Sequence, residues 1–202
     1  MRNLLCLLLL LSSIMAFSQD NISNKSKELP YSVIPDYPED YSAGTVAARV
    51  VDGLGFRYYW GTEGLRAEDL SFKPNDDART TEENIDHIYQ LTNTLKNATL
   101  RKANGGDASV DSMSFDEKRA ATLLNIKTAS DILRTSSDEE VASYKLIFNR
   151  KDGSTVEYPF WNMLNGPLAD AIWHVGQVVS FRRSSGNPFN SNMSLFNGRP
   201  RN

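Results

Sequence analysis

A chain of 202 residues with 22 basic and 25 acidic side chains, a formal net charge of −3 and no basic block offers little to nucleic acid phosphates or anionic lipid, and both are set aside as partners. Its one cysteine is Cys6 and its two histidines are His87 and His174, so a serine or cysteine nucleophile with a histidine base has almost no candidates. No Gly-rich phosphate loop, serine elbow or His-Glu-x-x-His pattern occurs.

The chain opens Met1-Arg2-Asn3, continues in an apolar run from Leu4 to Leu11, and passes through Ser12 and Ser13 to Ala16-Phe17-Ser18. A positive start, a short apolar stretch and small residues two apart form the order of a removable export signal, residues 1–18, with cleavage expected between Ser18 and Gln19. A retained anchor would need roughly 20 apolar residues, and this run stops sooner. Cys6 precedes most of the apolar stretch, whereas a lipid-attachment cysteine would follow it. The expected product, residues 19–202, is periplasmic or extracellular, has no stable membrane span and has no cysteine for a disulfide. Losing Arg2 and no acid moves its net charge from −3 to −4.

Residues 19–42 are polar, carry Pro30, Pro35 and Pro38 and show no helical period, which predicts an arm. Tyr31, Ile34, Tyr37 and Tyr41 could pin it to the domain; a loose tether is the alternative. A first helix is predicted from Thr45 to Glu63, with Val46, Val50, Leu54 and Tyr58 at fourfold spacing and Val51 and Trp60 widening the stripe. Gly53 and Gly55 within it imply close packing or a small irregularity.

Thr80-Thr81-Glu82-Glu83 fits a capping box and opens a second helix through Ile88, Leu91 and Leu95 to about Arg101. Lys102 to Ser112, containing Asn104-Gly105-Gly106-Asp107, reads as a loop. Ser114-Phe115-Asp116-Glu117 repeats the capping box and starts a third helix, ending near Ser136. Its buried stripe is Phe115, Leu123, Ile126 and Leu133, and its wet side Lys118, Arg119 and Lys127.

The period then changes. Tyr144, Leu146 and Phe148 alternate with polar neighbours, Lys151-Asp152-Gly153 turns the chain, and Val156, Tyr158 and Phe160 alternate again, predicting a β-hairpin that Pro159 ends or leaves on an edge. A fourth helix is predicted from Trp161 to Arg183, interrupted at Gly166-Pro167. Its buried stripe is Leu164, Leu168, Ile172, Val175 and Val179. Residues 184–202, rich in Ser, Gly, Asn and Pro, form an irregular tail. Burying these stripes together gives a mainly α domain, a four-helix bundle with a small β-hairpin before the last helix.

His87 falls in the second predicted helix and His174 in the fourth, where Asp170 precedes it by four residues and leaves the same face one turn away. Imidazole nitrogens and a carboxylate can ligate a divalent transition metal from facing helices, and a His-Asp-His set with an open position suits zinc or nickel. The alternative is a helix-face polar pair, with His87 an independent, partly buried hydrogen-bonding residue. Trp60, Trp161 and Trp173 are expected to pack in the core with their indole donors satisfied. Asp52 and Glu63 are candidate extra carboxylates that a solvated face explains more simply. Arg182, Arg183, Arg199 and Arg201 could meet an anion, although charge at a helix C-terminus and a basic tail account for them.

Two segments resemble the DinB-like (DinB/YfiT) family. Thr81-Glu82-Glu83-Asn84-Ile85-Asp86-His87-Ile88 is similar to the family's histidine motif on the second helix. Asp170-Ala171-Ile172-Trp173-His174-Val175-Gly176-Gln177 is similar to its His-x-x-x-His pair followed by Gly-Gln. The likeness spans about residues 43–183 and implies a four-helix bundle with a divalent-metal site at His87, Asp170 and His174. The departure is Asp170, which stands where the family has a histidine; aspartate can still ligate, and the change can equally weaken affinity.

The resemblance implies a metal-dependent hydrolase or transferase acting on a small-molecule substrate, the ion lowering the pKa of a bound water or thiol. Export disfavours a thiol cofactor, because such thiols are mainly cytoplasmic. The other reading is a non-catalytic binding or interaction module that has lost full ligation. Bundles of this kind often pair, and Tyr31 to Tyr41 or the tail could contribute to a homodimer.

Overall fold

The computed structural model describes residues 28–105 and 110–201. The expected export signal, its cleavage point, Cys6, residues 19–27 of the arm and residues 106–109 of the expected loop lie outside them. The described chain is mainly helical, with a small sheet of short strands. None of its helices is long and apolar enough to cross a membrane.

Helix α1, Ala43–Thr62, starts two residues earlier than predicted because Ser42 caps it. The Ser42 hydroxyl accepts from the Thr45 amide at 3.2 Å and the Thr45 hydroxyl accepts from the Ser42 amide at 2.9 Å, a capping box with threonine in the place of glutamate. The short helix α2 is Ala67–Leu70. Helix α3, Thr81–Thr99, has the expected Thr80/Glu83 box, with the Thr80 amide donating to Glu83 at 2.7 Å. Helix α4, Phe115–Thr135, opens on the expected Ser114/Glu117 box. A further Ser/Glu box, Ser137/Glu140, caps α5, Asp138–Ser143, a helix the sequence alone did not suggest.

The hairpin forms from β2, Lys145–Asn149, and β3, Thr155–Pro159, paired antiparallel with Leu146 opposite Tyr158. Gly153 turns the chain at φ 82°, in the left-handed region that glycine enters without a Cβ penalty. Pro159 ends the edge strand. Within the expected loop, β1, Ala103–Asn104, adds a parallel pair to β2. Phe160 starts helix α6, Phe160–Met163, instead of ending the strand. Leu164–Leu168 follows as a π-helical turn containing Pro167, and helix α7 is Ala169–Ser184. The predicted interruption at Gly166-Pro167 is therefore real, and Gly166 leaves helical geometry altogether, at φ −96° and ψ −109°. In the tail, β4, Met193–Ser194, pairs with β5, Arg199–Pro200.

One core joins α1, α3, α4 and α7 through Val51, Leu54, Tyr58, Ile85, Ile88, Leu95, Leu123, Ile126, Leu133, Val175 and Val178, with the sheet contributing Leu146. Several stripe assignments need correction. Val46 and Val50 are exposed, at 52% and 45%, while Ala47 and Ala48 face inward. Phe115, Leu164, Ile172 and Val179 are only half-buried, and Ala171 and Val178 carry the inner face of α7 with Val175. Lys118, expected on the wet side, is buried at 4% exposure with its ammonium 2.7 Å from Asp86 and 3.1 Å from Glu82. Burial by itself pulls that ammonium down; the hydrogen bonds to Asp86 and Glu82 outweigh it and leave Lys118 above the usual lysine range.

Asp52 is likewise no surface carboxylate. It is fully buried and accepts from the Tyr31 hydroxyl at 3.1 Å, the Ser130 hydroxyl at 2.6 Å and the Arg134 guanidinium. Burial first, and the Asp52 charge second, push the Tyr31 phenol far above its ordinary range, so it donates at any physiological pH. Glu63, by contrast, is half-exposed and pairs with Arg119.

Arm and tail both return to α1. Tyr31 and Ile34 are buried, whereas Tyr37 and Tyr41 are exposed at 75% and 98%. Ile34, Phe56 and Met193 form a second small apolar cluster, and the Ile34 amide donates to the Gly198 carbonyl at 2.8 Å. Arg182 is buried at 3% exposure; it donates to the Gly61 carbonyl at 2.9 Å and the Glu63 carbonyl at 3.0 Å, closing the C-terminal end of α1. That removes it from any anion-binding group.

Candidate metal centre

The α3 capping box places His87 two turns into the helix, beside the buried Ile85 and Ile88, which fix the rotation of its face. On α7, Ala171 and Val175 bury one face and leave Asp170 and His174 on the flank turned to α3. The two helices run antiparallel here: Asn84 meets His174, and His87 meets Asp170.

The three expected ligands come together. His87 Nε2 lies 3.2 Å from Asp170 Oδ2, His174 Nε2 lies 3.4 Å from Asp170 Oδ1, and one donor atom from each residue falls within 4.8 Å of the others. The imidazole rings stand edge to face with centroids 4.7 Å apart. The two short contacts run to different oxygens of Asp170, and two imidazole nitrogens with a carboxylate are a donor set that suits a divalent ion in its chemistry. The cluster could hold a metal ion.

Its surroundings prepare His174 for ligation. Asn84 is buried, and its amide nitrogen donates to the Thr80 carbonyl at 2.9 Å, which turns Oδ1 toward His174 Nδ1 at 2.8 Å. Gln177 Oε1 lies 2.9 Å from the same nitrogen. Two acceptors hold the proton on Nδ1 and leave the Nε2 lone pair facing Asp170, as in metal sites whose outer partners set the histidine tautomer. Burial pulls His174 below the ordinary histidine pKa, against the Gln177 hydrogen bond and the Asp170 charge. The neutral, ligating form is thereby favoured. Gln177 stands in the Gly-Gln that closes the His174 motif, whereas the role of Asn84 was not foreseen from the sequence, although its position three residues before His87 on the same helix face was the available signal.

Side-chain exposure grades across the cluster, from 12% at His174 through 28% at His87 to 44% at Asp170. Asp170, the most exposed of the three, also lines a cleft of about 390 Å³ with Leu91, Asn165, Gly166, Pro167, Ala169 and Trp173; neither histidine is among its lining residues. The tryptophans divide. Trp60 is half-buried and donates its indole N–H to the Ser32 carbonyl at 3.1 Å, as expected, while Trp161 and Trp173 are exposed at 76% and 71% and belong to no core. Comparison with protein-family models, with curated proteins and with solved structures finds no match to this chain.

Proposed function

We propose that the chain is an exported DinB-like protein, a four-helix bundle whose His87, Asp170 and His174 hold a divalent ion, zinc or nickel, for hydrolysis or group transfer on a small molecule. The observation that carries this reading is the convergence of three donors from α3 and α7 at the edge of a cleft. The resemblance of the two motif segments and the leader-like start of the chain support it further.

His87 and His174 would each give Nε2, and Asp170 would give a carboxylate oxygen and offset part of the ion's charge. An ion there supplies Lewis acidity, which polarises a substrate oxygen near neutral pH. Asn84 and Gln177 keep the His174 proton on Nδ1, away from the ligating side. Leu91, Pro167 and Trp173 make the cleft wall apolar beside the charged donors.

A second reading has its own support. Asp170 Oδ2 already accepts from His87 Nε2 at 3.2 Å, and Asp170 Oδ1 lies 3.4 Å from His174 Nε2, a contact that becomes an ion pair when His174 is protonated on both nitrogens, so the trio can stand without an ion, as in a non-catalytic binding module. Elemental analysis of tag-free protein beside the double variant His87→Ala, His174→Ala separates the two. Near-stoichiometric zinc or nickel in the parent, lost in the variant, is expected; no metal in either after its addition would establish the second reading.

A further inference from the structure

The antiparallel register of α3 and α7 continues past the histidines. One turn beyond His87, Leu91 comes opposite Gly166 and Pro167, where the regular helix gives way to the π-helical turn. Pro167 has no amide proton and Gly166 has no side chain, so this stretch neither continues the helical ladder nor fills the space before Leu91. The cleft of about 390 Å³ is the result. Trp173, three residues after Asp170, forms its flank with 71% of its surface exposed.

A tryptophan left so exposed beside polar donors has given up burial that a core position would supply. The cleft therefore offers three kinds of surface side by side: a flat indole, an apolar strip from Leu91 and Pro167, and the Asp170 carboxylate of the donor cluster. No lysine or arginine lines it. An anionic group would therefore find its counter-charge only at the donor cluster, and the rest of the cleft suits an uncharged body.

We infer that the cleft accepts a substrate with a flat, uncharged aromatic group, which lies against Trp173 and Leu91 while an oxygen-bearing group of the same molecule reaches the ion held by His87, Asp170 and His174. This rests on the metal-site reading and adds the class of substrate to it. The aromatic group contributes binding and orientation, and the reacting group is the one at the donor cluster.

The test uses two hydroxamates that share a metal-seeking head and differ in body: benzohydroxamate, with a phenyl ring, and acetohydroxamate, with a methyl group. Zinc content is measured first, then the affinity of each compound for the zinc-loaded protein by titration calorimetry. Benzohydroxamate should bind about tenfold more tightly, the size of an aromatic stacking contact. Trp173→Ala should retain zinc and acetohydroxamate affinity while losing the preference, and Trp173→Phe should keep most of it. Because Trp173 lies on the surface, neither substitution removes core packing. Equal affinities in the zinc-loaded parent, or a preference that survives Trp173→Ala, overturn the aromatic site and leave the metal site standing. Failure to hold zinc overturns both.

Discussion

Asn84 fixes which nitrogen of His174 carries the proton: its own amide group is anchored on the Thr80 carbonyl at 2.9 Å, and its oxygen accepts from His174 Nδ1 at 2.8 Å. Removing that acceptor leaves the tautomer to Gln177 alone. Asn84→Ala is expected to lower zinc affinity about 10- to 100-fold, the usual effect of losing an outer-sphere partner. A chelator competition assay beside the parent measures it, and an unchanged affinity would show that Gln177 suffices.

Arg182 carries a different structural burden. Its guanidinium serves the carbonyls of Gly61 and Glu63 and, through Nε, that of Asn187 at 2.8 Å, so it joins α7, the end of α1 and the start of the tail. Arg182→Met keeps the apolar stem but strands buried carbonyls, and is expected to cost about 3 kcal/mol. Urea denaturation gives the number; a loss under 1 kcal/mol would mean that water replaces the guanidinium freely.

Asp69 predicts the acid limit of stability. The Arg66 guanidinium, then the Ser185 hydroxyl and the Asn187 amide, hold its carboxyl well below the usual carboxylate range, against the cost of burial. A carboxyl depressed in the folded state stabilises the protein fully above its unfolded pKa of about 3.9, and that contribution is lost as pH falls through the folded value. Asp69→Asn should therefore be less stable than the parent at pH 7, with the gap closing below about pH 4. Denaturation midpoints taken from pH 7 to pH 2 check this, and a gap constant with pH would assign the effect to packing alone.

Gly55 tests how the arm is held. A Cβ added there would lie 2.5 Å from the Tyr31 ring, which sits at φ 77° with its hydroxyl on Asp52. Gly55→Ala must displace that ring and is expected to cost about 1–3 kcal/mol. Limited proteolysis should then cut between residues 28 and 42 faster than in the parent, while the helical circular dichroism stays unchanged.

What could be read from the sequence follows from range. The Thr80 and Ser114 capping boxes are legible because their partners stand three residues apart, and the hairpin because Asp152-Gly153 lies between two alternating runs. The Val46 and Val50 stripe fails because spacing alone cannot show that α1 presents its small residues, Ala47, Ala48 and Gly44, to close neighbours. Lys118 and Asp52 looked solvated because their partners stand 32 and 82 residues away. The metal cluster divides the same way. Asp170 and His174 share a helix face by spacing, while the meeting with His87, 83 residues before Asp170, exists only once α3 and α7 pack.

The clasp between arm and tail has a mechanical meaning. Ile34 and Gly198 are joined by one backbone hydrogen bond over Phe56 and Met193, so the two ends of the described chain pass side by side across α1. Tension applied between residues 28 and 201 would load this small junction before the helices that bear His87, Asp170 and His174. Force–extension traces should accordingly show an early, low-force release followed by rupture of the helical core, so that a pull on either end is absorbed without disturbing His87, Asp170 and His174.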